Sequence, residues 1–66
     1  MKFPQILREL REEKELSMVK LAKCINLSAT AICNWENGKH DIKGVDLITL
    51  SKFFNVSTDY LLGLEK

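Results

Sequence analysis

Four lysines, Lys20, Lys23, Lys39 and Lys43, fall between Ser17 and Lys43, a span whose carboxylates are Glu36 and Asp41 alone. Ammonium groups gathered against so few carboxylates suit one chemistry above others, the neutralisation of phosphate. With no partner, the same lysines are a solubilising surface. The remaining reactive side chains offer less. Cys24 and Cys33 can be joined only by His40, which leaves a structural zinc site one ligand short. No neighbouring charge marks either cysteine as a reactive thiolate, so both read as packing residues or partly exposed thiols. His40 beside Asp41 reads as a surface pair in a charged loop. No catalytic residue, metal or cofactor is therefore assigned, and the chain is not expected to be an enzyme.

Sixty-six residues make one domain, 1–66, near the lower limit at which a hydrophobic core suffices without disulfides or metal. A hydrophobic fraction of 45% with 29% charged residues belongs to a folded domain and not to a disordered tail. The formal net charge is only +1, so any affinity for nucleic acid must come from a local positive surface. Two cysteines give no disulfide framework, and Met1, Lys2 and Phe3 begin no apolar run of signal-peptide length. A cytoplasmic chain is the expectation. No apolar stretch approaches the roughly 20 residues that cross a bilayer, and no membrane or small-molecule partner is predicted.

These side chains need elements to hold them. A first helix should run from Pro4 to about Lys14, with Phe3, Ile6, Leu7 and Leu10 at helical spacing. Arg8, Glu9, Glu12 and Glu13 fall on its solvated faces. A pattern then occurs three times: Leu16-Ser17 with Leu21, Leu27-Ser28 with Ile32, and Val56-Ser57 with Leu61. Each places a capping serine inside a hydrophobic staple, which predicts helix starts at Met18, Ala29 and Thr58. Asn26 and Asn55 tolerate the left-handed conformation that closes a helix, so Ile25-Asn26-Leu27-Ser28 is a stop followed at once by a restart.

The second helix is thus expected over Met18 to Ile25 and the third over Ala29 to Glu36, ended by Gly38. Lys39 to Gly44 reads as a loop. Val45, Leu47, Ile48, Leu50 and Phe54 give a fourth amphipathic helix, and Thr58 to Leu62 a short fifth. The fold class is all-α, five short helices around one core. Residues 17–37 are two helices joined by a tight turn, a helix-turn-helix arrangement that points to duplex DNA.

The run L-S-x-x-x-L-A-x-x-x-x-L-S-x-x-x-I-x-x-W-E-N-G-K, followed by F-N-V-S-T-D-Y-L-L-G, resembles the Cro/C1-type helix-turn-helix family of bacterial and phage repressors. The resemblance covers roughly residues 7–64. It implies a lambda-repressor-like DNA-binding domain whose third helix lies in the major groove. The groove-facing positions would be Ala29, Thr30 and Asn34. Asn34 can pair with adenine, Thr30 can bond several bases or touch a thymine methyl, and Ala29 can only touch that methyl. None is an arginine, so base discrimination should be modest, with DNA shape contributing.

Backbone contacts implied by the resemblance are Ser17, Met18, Lys20, Lys23, Ser28, Asn37, Lys39 and Lys43. Lys20 stands where the family often has a glutamate that completes a capping box, and Met18 where it often has a glutamine. The loop lacks the proline common in relatives and carries Gly44 instead. Arg11 and Glu36 resemble a structural ion pair linking the first helix to the end of the third. Trp35 reads as core, with its indole N–H as a second option for a phosphate. Dimer contacts would come from the loop before the fourth helix and from the fifth-helix region, with Phe53, Val56, Tyr60 and Leu64 as candidates. The implied function is a sequence-specific transcriptional regulator, a repressor, bound as a homodimer to a pseudo-palindromic operator in double-stranded DNA. The alternative is a protein-interaction module of antitoxin or anti-repressor type on the same fold. Low net charge favours that alternative, and the lysines oppose it.

Overall fold

A computed structural model of the chain describes residues 2–64. Its elements are α1 (Phe3–Glu13), α2 (Met18–Ile25), α3 (Ala29–Glu36), α4 (Gly44–Phe54) and α5 (Thr58–Leu61), with no strand among the described residues. The three serine caps form: Ser17 Oγ accepts from the Lys20 N–H at 3.1 Å, Ser28 Oγ from Ala31 at 3.1 Å and Ser57 Oγ from Tyr60 at 3.0 Å. In each staple the residue inside the helix, Leu21, Ile32 or Leu61, is fully buried. The residue before the serine, Leu16, Leu27 or Val56, packs against the core from its rim. One sequence pattern therefore does two jobs, stopping solvent at a helix end and supplying a central core side chain.

Helix ends are equally regular. All five helices close through a left-handed residue: Glu15 (φ 55°), Asn26 (58°), Gly38 (70°), Asn55 (56°) and Gly63 (76°). In each case the next N–H bonds back to a carbonyl five residues earlier, at 2.9 to 3.1 Å, as in Leu16 to Arg11 and Lys39 to Asn34. This is the Schellman closure, which satisfies carbonyls that a helix terminus otherwise leaves without partners. Four of the closing residues are Asn or Gly, which enter that region readily. Glu15 is the exception, and a β-carbon there is strained by roughly 1–2 kcal/mol. Glu15→Gly is therefore expected to raise stability by about 0.5–1 kcal/mol after the added freedom of the unfolded chain is counted. That corresponds to a melting temperature higher by roughly 3–6 °C in a thermal scan, and an unchanged or lower value would contradict the strain.

Boundaries differ from the sequence expectation by one residue: α1 ends at Glu13 and α5 at Leu61, and two starts shift. α1 starts at Phe3, so Pro4 takes the second helical position, where its missing N–H still deprives the helix of nothing. α4 starts at Gly44, one residue before the first apolar side chain, because Lys43 is already extended as its N-cap. A larger correction concerns the apolar face of α4. Leu50 and Phe54 are buried with Leu47 and Phe53 packed beside them, but Val45 and Ile48 are 76% and 49% exposed. The inward side of α4 is set by Leu50 and Phe54, and Val45, Ile48 and Lys52 share the opposite, exposed side.

The core joins every helix: Phe3 and Leu7, Leu21, Ile32, Leu50 and Leu61 are the fully buried large side chains. α1 packs on α3 and α5, α2 on α3 and α4, and α4 on α5. The two short helices of the motif are thus supported from different sides, α3 by α1 and α2 by α4.

Candidate nucleic-acid interface

The orientation of α3 is decided from inside. Ile32, Trp35 and Glu36 are buried on one side, and their three positions leave Thr30, Cys33, Asn34 and Asn37 on the other. Thr30 and Asn37 are exposed, Cys33 and Asn34 half-buried. Ala29 packs partly against the core, as does Ala31. Asn37 turns its amide back along the helix and donates to Cys33 Sγ at 3.3 Å. Trp35 is 5% exposed and belongs to the core.

The expected lysines lie on the elements that precede and follow α3. Lys20 and Lys23 project from α2, Lys39 and Lys43 from the loop between α3 and α4, and all four are exposed. Ser17 and Ser28 spend their hydroxyl oxygens as caps but keep O–H groups able to donate. Met18 is half-buried against the core. Beside Asn34 and Trp35 lies an open recess of about 330 Å³, closed off by His40, Asp41 and Lys43 of the loop and by Asp46 in the first turn of α4. Asp46 was not singled out by the sequence, because its turn of α4 comes beside Asn34 and Trp35 only through the tertiary packing. A wider hollow of about 500 Å³ is lined by Glu9, Glu12 and Glu13 of α1 and Tyr60 of α5. Its carboxylates would repel phosphate.

Glu36, at the end of α3, has a side chain with no solvent exposure. Arg11 grips it with both arms, Nε donating to Oε2 at 2.7 Å and Nη2 to Oε1 at 3.1 Å, while Nη1 donates to the Leu16 carbonyl at 2.8 Å. Arg8 Nε donates to Oε1 as well, at 3.3 Å. The hydrogen bonds to Glu36 hold the Arg11 guanidinium above the usual arginine range, against the opposing pull of its burial. Arg8 lay unassigned on a solvated face of the sequence. Its spacing of three from Arg11 was the signal that the two share one side of α1. Through these bonds α1, the α1–α2 turn and the far end of α3 are tied together.

A helix-turn-helix family profile matches residues 7–61. The chain belongs to the Cro/C1-type helix-turn-helix family. It is 41% identical over its 66 residues to the HTH-type transcriptional activator BcrR of Enterococcus faecalis, covering 32% of that protein. It is 34% identical over 56 residues to the repressor protein C2 of Salmonella phage P22, with 85% of this chain and 26% of that one matched. The crystal structure of the restriction-modification controller protein C.AhdI from Aeromonas hydrophila superposes with a TM-score of 0.82 at 32% identity, covering 91% of each chain. The chain spans between a quarter and a half of the length of the curated relatives it matches. Domains of this family bind DNA and are not catalysts. Among the described residues no group of His, Cys, Asp and Glu could hold a metal ion, and no helix is long and apolar enough to cross a membrane.

The dimer candidates divide. Phe53 and Val56 are partly buried against the core, with the Phe53 and Phe54 rings edge to face at 5.0 Å. Tyr60 and Leu64 are 39% and 69% exposed.

Proposed function

We propose that this chain is the DNA-binding domain of a sequence-specific transcriptional regulator that docks α3 in the major groove, with Lys20, Lys23, Lys39 and Lys43 on the flanking phosphates. What supports the proposal is that α3 exposes Thr30 and Asn37 while the elements next to it in the chain carry four exposed lysines, and that the carboxylates Glu9, Glu12 and Glu13 line a hollow of α1 and α5. Asn34 and Thr30 supply base-edge hydrogen bonds. Repression is the regulatory mode, since occupying a site suffices for it, whereas activation of the kind BcrR is named for needs a further contact. A domain this small covers only about 600–1,000 Å² of its own surface on DNA. Two copies on half-sites roughly 10 bp apart are therefore needed for useful affinity. Exposed Tyr60, Leu64 and Val45 supply apolar surface for that pairing.

The test is a fluorescence titration of labelled random duplex at several salt concentrations. Affinity should fall linearly on logarithmic axes, with a slope of about −0.9 for each phosphate neutralised, so of roughly −4 per chain if all four lysines engage. On a duplex carrying two half-sites the same titration should saturate at two chains. Absence of binding at low salt would overturn the proposal in favour of a protein-interaction module.

A further inference from the structure

We infer that this chain takes up a proton at His40 when it binds duplex DNA, so that the recess beside α3 strengthens the grip on phosphate as pH falls. The inference rests on the DNA-binding reading above and names a regulation of that surface. His40 is the one histidine of the 66 residues. It lies exposed in the loop between α3 and α4, between Lys39 and Lys43 in the chain, and helps to line the recess of about 330 Å³ that reaches Asn34 and Trp35.

The charges around this imidazole come from two elements. The loop brings Asp41 and Lys43 to the recess, with Lys39 next to His40 in the chain, and the first turn of α4 brings half-buried Asp46. α3 contributes Ala31, Asn34 and Trp35, none of them charged, and among the described residues none of α1, α2 or α5 lines the recess. While the imidazole is neutral, two carboxylates stand against one ammonium, and a phosphate approaching Lys43 meets that excess of negative charge. A proton on His40 cancels the excess. Among the described residues neither the imidazole nor these carboxylates is taken up by an ion pair or a side-chain hydrogen bond, so the added charge is not spent on a partner inside the fold. Imidazole is the side chain that ordinarily changes charge between about pH 5 and pH 8. Phosphate favours the imidazolium, and by linkage a proton taken up on binding strengthens binding where protons are plentiful. Affinity is therefore higher below the ordinary imidazole range and falls as pH rises through it.

The experiment titrates labelled random duplex with the full chain at several salt concentrations, at about pH 5.5 and again at about pH 8. At the lower pH affinity should be higher by roughly threefold and the logarithmic salt slope steeper by about 0.9, the counterion release of one more neutralised phosphate. His40→Gln, which keeps a polar side chain without the titrating ring, should show neither change. The ring protons of a single histidine need no assignment, so nuclear magnetic resonance follows the same group in the unaltered chain. In the complex its imidazolium signal should persist to higher pH than in the free chain. Equal affinity and slope at both pH values, a pH effect that His40→Gln retains, or ring signals that titrate alike free and bound would overturn the inference while leaving DNA binding intact. Absence of binding at either pH in low salt would overturn the docking and the inference with it. The resonance arm needs no substitution, so a poorly folded variant does not remove the test.

Discussion

Arg11→Met is expected to remove about 3–5 kcal/mol of stability, the cost of leaving one member of a buried pair without its partner. A domain of this size has roughly 3–10 kcal/mol in total, so the variant should be largely unfolded or close to it at 25 °C. The geometry explains the size of the effect. Glu36 is wholly buried and takes two of its three hydrogen bonds from Arg11, at 2.7 and 3.1 Å. The remaining one, from half-exposed Arg8, is longer at 3.3 Å and cannot hydrate the carboxylate. Loss of Arg11 also frees the Leu16 carbonyl at the turn into α2. Urea unfolding followed by circular dichroism measures the change. The double variant Arg11→Met with Glu36→Leu should regain most of it, because no charge is then left in the core. A loss below about 1 kcal/mol for the single variant would mean that the pair behaves like a surface salt bridge. The direction of the pH effect follows from Arg11. Its folded-state value is raised, so its contribution is complete below the ordinary arginine range and is lost only as pH climbs above it. Base titration within ordinary handling conditions should therefore leave this clasp in place.

Asn34→Ala and Lys39→Ala should weaken DNA binding in two different ways. Asn34 stands half-buried on the outward side of α3, next to the recess bounded by His40 and Lys43. Its removal should cost about 1–3 kcal/mol on the preferred duplex and relax the preference at one base pair. Random duplex and the salt slope should hardly notice. Lys39 is exposed one residue past the closing Gly38, and the proposed docking gives it phosphate and not bases. Lys39→Ala should weaken every sequence alike and make the salt slope shallower by about 1. Binding curves on selected and random duplex at two salt concentrations separate these outcomes. If Asn34→Ala lowers random-duplex affinity as much as it lowers selected-duplex affinity, α3 does not dock in the register proposed.

The acidic hollow between α1 and α5 bears on both results. Charge on α1 is divided by side, with Arg8 and Arg11 turned to α3 and Glu9, Glu12 and Glu13 lining the hollow beside Tyr60. A net charge of +1 thus hides two surfaces of opposite sign.

Local signals wrote much of this protein into its sequence. The serine staples and the asparagine or glycine closures act within six residues of chain, so α2, α3 and their turn were legible from Leu16 to Gly38 without any tertiary information. Glu15 was not legible, because glutamate has no local preference for the left-handed region and is held there by the Leu16 to Arg11 bond and by the packing of Leu16.

What the tertiary structure decided is which side of each helix faces what. Periodicity showed that α4 is amphipathic, but only the positions of α2 and α5 turned Leu50 and Phe54 inward and left Val45 and Ile48 in solvent. Arg8 and Arg11 became partners of one carboxylate because α1 lies across α3, at a separation in sequence of 25 and 28 residues that no spacing rule reaches. The same packing rolled α3 so that Ile32, Trp35 and Glu36 are buried while Thr30 and Asn37 stay exposed. Helix starts and stops are set by bonds between near neighbours, and the sequence determined them. The roll of a helix is set by contacts distant in sequence, and that roll settles which side chains α3 leaves exposed.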